Sequence, residues 1–578
     1  MRYIIYTFVL SMLMLTSSAQ KLEWAYAFTN SNIQDMAGSM ASNGSEFAVC
    51  GTIVNNFSVD LKNHHTDYNA KKCFISRYDK DANIKWVVEQ PGGGSNQRVS
   101  TMIMDPSGNL FTSGFFSGTL DFDPGSGKSD ITAAGLDAFV QKLDKDGNLQ
   151  WVAHTSTNAQ PSHMAIKSNG NVVILGRSQN SATATLENGS TVELNQGVFL
   201  VEISADGKVI GAYSVATPAS FSTAVALGIT SQDDIVVGAM VDGAMNLDLK
   251  GGTNLDTSHH SYDAVIAVYS ASFEYKWHKV FGDIDNGQPG GWDAIRSIVC
   301  DDKNNIYASG YFTWNTDFDP DDNPGKFVRE AGTYNGSQSP DGFIIMYNKD
   351  GEIQWVQDMG GHEAIPKNRS ADVNLYDMVL KDDHLVAYGE MSGQADFDGS
   401  SDTFMIRTKD FGVGLCFVQY NVDGSFENAW LADGESSNEK QAGIELLGPG
   451  VVAFGTFNNQ FDADPSENDY LLQTDSTGPL PKWDNDLFVV HYDLNFKTGG
   501  ISSPTRHTSI YPNPTSGILH LSNPEVWGGE YELYTINGIL TQSGTLSHQL
   551  DVSSLQNGLY LLRFKDERFS PIRIVISK

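Results

Sequence analysis

Pairs of aspartates separated by a single residue recur along this chain, and they are well suited to binding a metal ion. In a strand or turn, this spacing directs both carboxylates to one side, because side chains alternate across a strand. Calcium takes several hard oxygen ligands, which carboxylates and turn carbonyls supply. These pairs therefore predict calcium as a ligand. The pairs are Asp121 and Asp123, Asp317 and Asp319, Asp396 and Asp398, and Asp462 and Asp464.

A structural role explains the same aspartates without a metal. Aspartate before proline or glycine is common in turns, where its carboxylate caps backbone N–H groups. Duplication of a repeat would then copy the pair from one unit to the next. Turn chemistry and calcium binding both stay open at this point.

Catalysis has weaker support in the sequence. The chain contains no HExxH, GxSxG or P-loop motif. Paired carboxylates can act as acid and base on a saccharide, provided that residues from separate repeats come together. Pairs of aromatics just before the aspartates, such as Phe115-Phe116 and Tyr311-Phe312, resemble sugar-stacking platforms, but packing between sheets is the more usual role. We therefore favour a protein that is not an enzyme.

The elements that would position these residues belong to an internal repeat. The turn Asp146-Gly147-Asn148 leads into a strand with Trp151, and the turn at Asp350-Gly351 leads in the same way to Trp355. An aromatic residue occupies this slot at near-regular intervals, at Trp24, Trp86, Trp151, Tyr213, Trp277, Trp355 and Trp430. Such regular self-similarity predicts a repeat architecture.

Each unit also contains a strand with a recurrent glycine, such as Gly114 or Gly310, and an apolar strand that begins with aspartate, such as 137–140. Four short strands in each unit are typical of a β-propeller blade, and seven units predict seven blades. The last unit ends without a tryptophan strand, whereas Trp24 lies in a strand without a blade. We expect the segment around Trp24 to complete the last blade and close the ring.

These repeats resemble the seven-bladed β-propeller repeats, often written SBBP, of secreted bacterial proteins, over residues 20–497. The resemblance implies the fold but no particular ligand, because propellers serve binding, scaffolding and catalysis alike. The longest units carry inserts at 321–340 and 361–371, where we expect loops that face a ligand.

After a polar linker at 498–508, the final segment 509–578 has a different composition. It opens with Tyr511, Pro512, Asn513, Pro514 and Gly517, continues through a Leu-Gln-Asn-Gly-Leu-Tyr run that contains Gly558 and Tyr560, and ends in a strand with a basic terminus. This segment resembles the type A C-terminal sorting domain of the Bacteroidetes type IX secretion system. The resemblance implies a small Ig-like β-sandwich, and it implies the secretion machinery as a partner.

The amino terminus predicts the first step of export. Residues 1–19 combine Arg2, a short apolar run and the small residues before Gln20, as a signal peptide does. No later segment is apolar and long enough to cross a membrane, so we expect the mature chain to leave the inner membrane entirely. Together with the sorting domain, this predicts a secreted or outer-surface location that is reached through the periplasm.

Composition narrows the function further. With Asp+Glu 70 against Lys+Arg 37 and a formal net charge of -33, the chain repels nucleic acid. Its four cysteines, Cys50, Cys73, Cys300 and Cys416, lie in apolar runs and are expected to be buried thiols, with Cys50 and Cys73 the one pair to suspect of bonding.

The sequence therefore predicts an all-β protein, a seven-bladed β-propeller followed by a small Ig-like β-sandwich. The function that we favour is non-enzymatic binding or adhesion to an extracellular glycan or protein. An enzyme that acts on extracellular polysaccharide through loop carboxylates is the alternative, and a structural envelope protein is a third.

Overall fold

The computed structural model divides the chain into two units, Met1–Asn495 and Phe496–Lys578. The residues described are 21–28, 36–53, 56–62, 68–69, 72–90, 98–155, 159–178, 181–215, 225–258, 262–284, 291–319, 325–334, 337–361, 372–400, 403–409, 412–434, 443–458, 460–466, 470–473, 485–494, 510–511, 515–521, 528–535, 540–565 and 572–578. The predicted signal peptide, the linker 498–508, residues 321–324 and 335–336 of the first insert, and 362–371 of the second lie outside these ranges. Within them, no helix is long and apolar enough to cross a membrane.

The larger unit contains, within its described residues, seven successive antiparallel sets of four strands, here called blades 1 to 7; in two of them the sheet continues into a hairpin of the next blade. Hydrogen bonding runs from the first strand to the fourth in order. The strands are, for blade 1, Met36–Ser42, Glu46–Ile53, Lys72–Asp79 and Ile84–Gln90; for blade 2, Arg98–Met104, Leu110–Phe116, Asp137–Leu143 and Leu149–Thr155; for blade 3, Ala159–Ile166, Val172–Ser178, Gly197–Ile203 and Val209–Ser214; for blade 4, Val225–Ile229, Ile235–Val241, Asp263–Tyr269 and Tyr275–Asp283; for blade 5, Ala294–Cys300, Ile306–Phe312, Asp341–Tyr347 and Ile353–Met359; for blade 6, Asp372–Lys381, His384–Ser392, Val413–Asn421 and Phe426–Gly434; and for blade 7, Gly443–Leu447, Gly450–Asn458, Asn485–Asp493 and Lys21–Phe28.

The first strands lie innermost, because each one contacts the first strand of the next blade, and that of blade 7 contacts that of blade 1. This closed succession of sheets confirms the predicted all-β propeller class. Cores between neighbouring blades hold the ring together, and apolar residues on both faces of each sheet are buried.

The amino-terminal strand closes the ring, as the strand count predicts. Lys21–Phe28 pairs antiparallel with Asn485–Asp493, with Ala25 opposite Val490 and Phe28 opposite Leu487. The fully buried Phe28 ring contacts Phe74 of blade 1 and Phe454 of blade 7, at centroid distances of 6.2 and 6.0 Å. This one strand therefore joins both ends of the propeller sequence, and it covers the edge of Asn485–Asp493 as the outer strand of the last sheet.

The repeated tryptophan on the fourth strand links five of the blades to the following one. Trp86 donates its indole N–H to the Lys145 carbonyl at 3.0 Å, and its ring packs against Gly147 in the same turn. Gly147 has a φ of 87°, a conformation that favours glycine. The same bond joins Trp24 to Lys80, Trp151 to Ala205, Trp277 to Lys349 and Trp355 to Val422. The repeated turn and the repeated tryptophan therefore serve one contact between blades.

The two ends of the blades differ. At the turn end, tight turns join first to second and third to fourth strands, and their polar side chains cap the turn. Asp144, for example, accepts from the N–H groups of Asp146 and Asn148, both at 2.9 Å. At the loop end, each fourth strand passes to the next blade, and short hairpins join second to third strands. We use these two names below.

The hairpins of the loop end are small two-stranded sheets. Two of them, in blades 5 and 7, also pair with the fourth strand of the preceding blade. Their strands are Asn56–Phe57 and Tyr68–Asn69, Thr119–Asp121 and Asp130–Thr132, Ala182–Thr185 and Thr191–Leu194, Ala244–Asn246 and Leu255–Thr257, Asn315–Asp317 and Val328–Glu330, Thr333–Tyr334 and Ser337–Gln338, Gln394–Asp396 and Met405–Arg407, and Gln460–Asp462 and Leu471–Gln473.

The smaller unit has two antiparallel sheets around a core that includes Leu519, Leu533 and Leu562. The first sheet contains Ile510–Tyr511, Ile518–Leu521 and Gln549–Asp551, and the second contains Leu540–Thr545, Glu530–Thr535, Gly558–Phe564 and Ile572–Ile576. An Ig-like topology stays a prediction.

Segments of the sorting motif that are distant in sequence meet in this unit. The Gly517 carbonyl accepts from the Val552 N–H at 2.7 Å, and Gly558 pairs with Ile576 of the last strand. The Tyr560 hydroxyl donates to the Gln556 carbonyl at 3.0 Å. Tyr511 lies in a short strand, whereas Pro512, Asn513 and Pro514 lie outside the described residues. The described part of the motif therefore forms structure rather than a free tail.

All four cysteines are free thiols, as the sequence predicts. Cys50 and Cys73 lie on neighbouring strands of blade 1 and are buried, but they do not pair. The Cys73 thiol lies 3.6 Å from the Thr52 hydroxyl instead.

Candidate functional site

The Asp-x-Asp pairs lie in the hairpins of the loop end, and blade 6 shows their geometry clearly. One carboxylate oxygen of Asp396 accepts from the N–H groups of Asp398 at 3.1 Å and Phe404 at 2.8 Å. Asp398 accepts from the Ser400 N–H at 3.0 Å. Asp396 thereby binds both sides of the hairpin loop, and Asp398 closes the turn inside it.

The other three pairs repeat this arrangement. Asp121 accepts from Asp123 at 3.0 Å and Ser129 at 2.8 Å, Asp317 from Asp319 at 3.1 Å and Gly325 at 3.0 Å, and Asp462 from Asp464 at 3.2 Å and Tyr470 at 2.9 Å, in each case through backbone N–H groups. The N–H groups of Ser129 and Asp123 lower the pKa of the Asp121 carboxyl, because they stabilise its charged form.

The residue between the two aspartates packs into the protein. Phe122, Phe318, Phe397 and Ala463 are all buried. In two of these hairpins a buried tyrosine hydroxyl also donates to the carbonyl of this middle residue, Tyr420 to Phe397 at 2.6 Å and Tyr492 to Ala463 at 2.8 Å. The motif thus fastens each hairpin to its blade.

The structure places the four pairs in blades 2, 5, 6 and 7, each on its own hairpin, and does not bring them together. Asp319 differs from its equivalents because it contacts the Lys279 ammonium, at 3.2 Å. Among the described residues, no group of three or more His, Cys, Asp or Glu side chains is arranged to hold a metal ion. Backbone capping therefore accounts for these aspartates, and calcium binding stays a prediction that the experiment below tests.

A second recurrent feature lies on the innermost strands. In blades 1, 2, 3, 5 and 6 a bulge inserts one residue into the first strand. The recurrent glycine of the second strand lies opposite. A Cβ atom on Gly310 would lie 1.8 Å from the Ala294 carbonyl oxygen, so no other residue fits without movement of the backbone. The inserted residues are Gly38, Ser100, Ser162, Arg296 and Tyr376.

Two of these inserted residues meet at the loop end. The Arg296 guanidinium lies over the ring of Tyr311, at 5.4 Å from its centroid, and over that of Tyr376, at 5.7 Å. Stacking on aromatic rings suits the planar guanidinium and leaves its N–H groups directed along its edges. A bulge is a device that redirects a side chain. Here it brings an arginine and a tyrosine of neighbouring blades together.

An apolar cluster connects Arg296 to an exposed aromatic residue. Tyr311 packs with Met240 and Ala294, and Tyr262 packs against this cluster. Tyr262 in turn contacts Trp292 edge to face, at a centroid distance of 5.7 Å and an angle of 69°. We call Met240, Tyr262, Trp292, Arg296, Tyr311 and Tyr376 the axial patch, because it lies beside the innermost strands of blades 5 and 6.

Trp292 is held firmly although its side chain is 53% exposed. Its backbone N–H donates to the Thr313 hydroxyl at 2.6 Å. The next residue, Asp293, is fully buried and accepts from the Thr313 N–H at 3.0 Å and the Thr316 hydroxyl at 3.2 Å. Burial raises the pKa of the Asp293 carboxyl well above its usual range, and the neighbouring charge of Asp263 adds to the rise.

The polar groups around Arg296 differ in whether they have a hydrogen-bond partner among the described residues. Tyr376 donates its hydroxyl to the Glu390 carboxylate at 3.1 Å, and burial, followed by the charge of Glu390, raises the pKa of Tyr376. By contrast, the Arg296 Nε is buried and has no hydrogen-bond partner within the described part of the chain.

His163 of blade 3 lies within the electrostatic reach of Arg296. Burial, with a smaller contribution from the positive charge of Arg296, lowers the pKa of His163 to about 4. The imidazole is therefore neutral at physiological pH. Its Nδ1 is buried without a hydrogen-bond partner among the residues described. The site thus combines a fixed cation, a neutral imidazole and aromatic surface.

The aromatic pairs noted in the sequence divide between two roles. Phe116 and Phe312 are fully buried in cores between blades, which confirms packing for them. Tyr311 belongs to the axial patch. Sequence reasoning missed Trp292, Arg296 and Tyr376, since none of them recurs in the repeat. The recurrent glycine opposite each bulge was the available signal, because it marks where an extra residue enters the first strand.

Comparison with known families identifies the smaller unit. Residues 509–578 match the secretion system C-terminal sorting domain. The chain therefore carries the domain that directs proteins through type IX secretion to the cell surface or the extracellular space, and its partner through this domain is that machinery. A search of curated proteins finds no match.

Comparison with solved structures finds distant likenesses to the larger unit. The polysaccharide lyase Uly1 shares 8% identity over 82% of this chain and 100% of its own, with a TM-score of 0.36. Virginiamycin B lyase from Staphylococcus aureus shares 10% identity over 81% and 98%, with a TM-score of 0.34. A protein of unknown function from Bacteroides caccae shares 10% identity over 59% and 92%, with a TM-score of 0.27. These likenesses carry no inference about activity.

Proposed function

We propose that this protein is a non-enzymatic glycan-binding module that acts outside the cell, with the axial patch at the loop end as its ligand face. Export follows from the C-terminal sorting domain. The binding role is supported by Trp292, a large aromatic residue of the patch that faces solvent.

The observation that carries the proposal is the state of Trp292. A tryptophan that is 53% exposed presents a broad aromatic surface that a ligand can cover. Its edge contact with Tyr262 and its anchored backbone keep the indole in place before any ligand arrives. A rigid aromatic face loses little entropy on binding, and the apolar C–H face of a sugar ring stacks on such a surface.

An enzyme that uses the Asp-x-Asp carboxylates has no comparable support. Such an enzyme needs an acid and a base on the two sides of one glycosidic bond. The four pairs lie on separate hairpins, and the oxygens described above accept backbone N–H groups. A turnover assay on each polysaccharide that binds decides this alternative.

The test is binding of the full chain to a panel of glycans and matrix proteins, in calcium and again in chelator. We expect selective glycan binding, and we expect Trp292→Ala to weaken it at least tenfold, or about 1.4 kcal/mol. Leu255→Ala is the matched control, because Leu255 is 71% exposed on a hairpin of blade 4. Its loss should leave binding unchanged.

Each outcome has a clear meaning. Selective binding that Trp292→Ala removes and Leu255→Ala preserves supports the proposal. A panel without any bound glycan contradicts it and favours the structural alternative. Equal binding by both variants would show that the ligand lies elsewhere.

A further inference from the structure

Arg296 is an unusual cation for this protein. The chain has a formal net charge of -33, and its other arginines include Arg77, which lies 2.7 Å from the Glu46 carboxylate, and Arg329, which lies 2.8 Å from that of Asp358. Within the described residues, Arg296 forms no such ion pair. Its contacts are instead the two tyrosine rings.

The geometry leaves the edge of this guanidinium for an acceptor. The faces of the Tyr311 and Tyr376 rings attract the guanidinium charge, but they supply no oxygen acceptor for its N–H groups. The buried Nε lacks an acceptor within the described part of the chain, and a buried charged donor in that state is unfavourable. Tyr376 directs its own hydroxyl to Glu390, so it does not supply that acceptor.

We infer that Arg296 pairs with an anionic group of the bound saccharide, a carboxylate or a sulfate ester, so that the ligand is an acidic glycan. This inference rests on the proposed glycan-binding function and names the substrate class of the same site. A carboxylate or sulfate presents two coplanar oxygens, and these match the paired N–H groups of a guanidinium.

The place of Arg296 in the patch explains how one ligand can contact both the Trp292 indole and the Arg296 guanidinium. Ala294, Tyr311 and Tyr262 form a continuous apolar connection from Arg296 to Trp292. A saccharide chain that stacks on Trp292 can extend along Tyr262 and Tyr311 toward this positive charge. The neutral imidazole of His163 adds no positive charge that would compete for the anion.

The net charge of the protein opposes this recognition at long range. An acidic surface repels an acidic polymer, so affinity must come from short-range contacts in the patch. At an ionic strength of about 0.15 M the screening length is about 8 Å, which suppresses the repulsion but not a partly buried ion pair. Binding is best measured under that condition.

The experiment compares the full chain with its Arg296→Gln and Arg296→Lys variants on matched polymers. Polygalacturonate is paired with its carboxyl-reduced form, and dextran sulfate with dextran. We expect the wild type to bind an acidic polymer at least tenfold more tightly than its neutral counterpart. We expect Arg296→Gln to remove that preference and Arg296→Lys to retain part of it. Arg329→Gln, which neutralises a peripheral arginine of the same blade, should change nothing.

The outcomes separate this inference from the function on which it rests. Binding of neutral glycans that depends on Trp292 but not on Arg296 overturns the inference and leaves the proposed function intact. Failure of every glycan to bind the wild type overturns both. The comparison of acidic and neutral polymers uses the wild-type protein, so it decides the matter even where a variant fails to fold. The polymer pair that shows the preference identifies the anion as carboxylate or sulfate.

Discussion

In the hairpin of blade 6 the Asp396 carboxylate binds the two backbone N–H groups that face it, whereas in the axial patch the buried Nε of Arg296 has no acceptor within the described residues. Both regions lie at the loop end of the propeller. The hairpin contact occurs in five blades, with Asn246 in place of the first aspartate in blade 4, and the arginine occurs in one. The repeated polar group is satisfied inside its own blade, whereas the single one finds no acceptor among the residues described.

This difference separates what builds the fold from what acts on a ligand. Duplication of a blade retains contacts that serve most of the blades, such as a capped hairpin or a tryptophan bonded to the next turn. A ligand needs only one site, so the residues that meet it are free to depart from the repeat. The bulge combines a position that recurs with one that varies. The glycine opposite it recurs, whereas the inserted residue is Ser100 in blade 2, Arg296 in blade 5 and Tyr376 in blade 6.

The largest expected effect comes from a deletion that disrupts the propeller, and with it both the hairpins and the axial patch. Deletion of residues 22–30 removes the strand that closes blade 7 and exposes the edge of Asn485–Asp493. We expect aggregation and loss of a cooperative thermal transition, because an open edge pairs with other chains and the buried Phe28 is lost. Calorimetry and size-exclusion chromatography measure this.

Phe28→Ala provides a graded control for that deletion. It keeps the strand but leaves a cavity, so we expect a loss of about 3–5 kcal/mol in unfolding free energy with the cooperative transition retained. A truncated protein that melts like the wild type would refute closure by this strand.

A smaller effect separates the hairpins from the patch. Asp396→Ala leaves two N–H groups without their acceptor, so we expect unfolding free energy to fall by about 2–3 kcal/mol while glycan binding is unchanged. Asp398→Ala removes one acceptor and should lose about half as much. Thermal melts of both variants, with calcium and with chelator, test the role of the motif.

The dependence on calcium distinguishes the two interpretations of these aspartates. If the carboxylates serve the hairpin alone, Asp396→Ala loses the same stability in calcium and in chelator. If they hold calcium, the wild type melts higher in calcium, and the variant no longer responds to it. The second result would show that the repeated motif binds a ligand, so the hairpins and the axial patch would no longer differ in this respect.

The smallest effect concerns His163 and its coupling to Arg296. Because the pKa of His163 is lowered to about 4 in the folded protein, the unfolded chain binds the proton first as pH falls. The stability that His163 contributes is complete above its ordinary pKa of about 6.5 and is lost as pH falls toward about 4. The maximum loss is roughly 3 kcal/mol, at about 1.4 kcal/mol for each pKa unit.

Melting curves between pH 7 and pH 4 test this coupling. His163→Gln should flatten the decline, and Arg296→Gln should flatten it less, because burial is the larger cause. His154→Gln serves as control, since the His154 side chain is 41% exposed. If stability falls with pH in the Arg296→Gln variant as it does in the wild type, the two residues do not interact.

Much of the architecture could be predicted because it is periodic. The spacing from Trp86 to Trp151 reports a blade, and the strand around Trp24 has no partner in its own unit, so ring closure follows from counting. The chemistry of the Asp-x-Asp pairs could not be decided in the same way. Whether Asp396 faces a metal or the Phe404 N–H depends on the fold of the hairpin, which the pair itself does not specify.

The sequence by itself determined the repeat, the all-β class and the export domain, because these depend on local patterns that recur or match a family. The tertiary structure alone decided that Arg296, Tyr311, Tyr376 and Trp292 form one patch. These residues come from two blades and from a bulge whose side chain is redirected by one extra residue. No spacing along the chain encodes that contact, since it arises only when neighbouring blades pack around the ring.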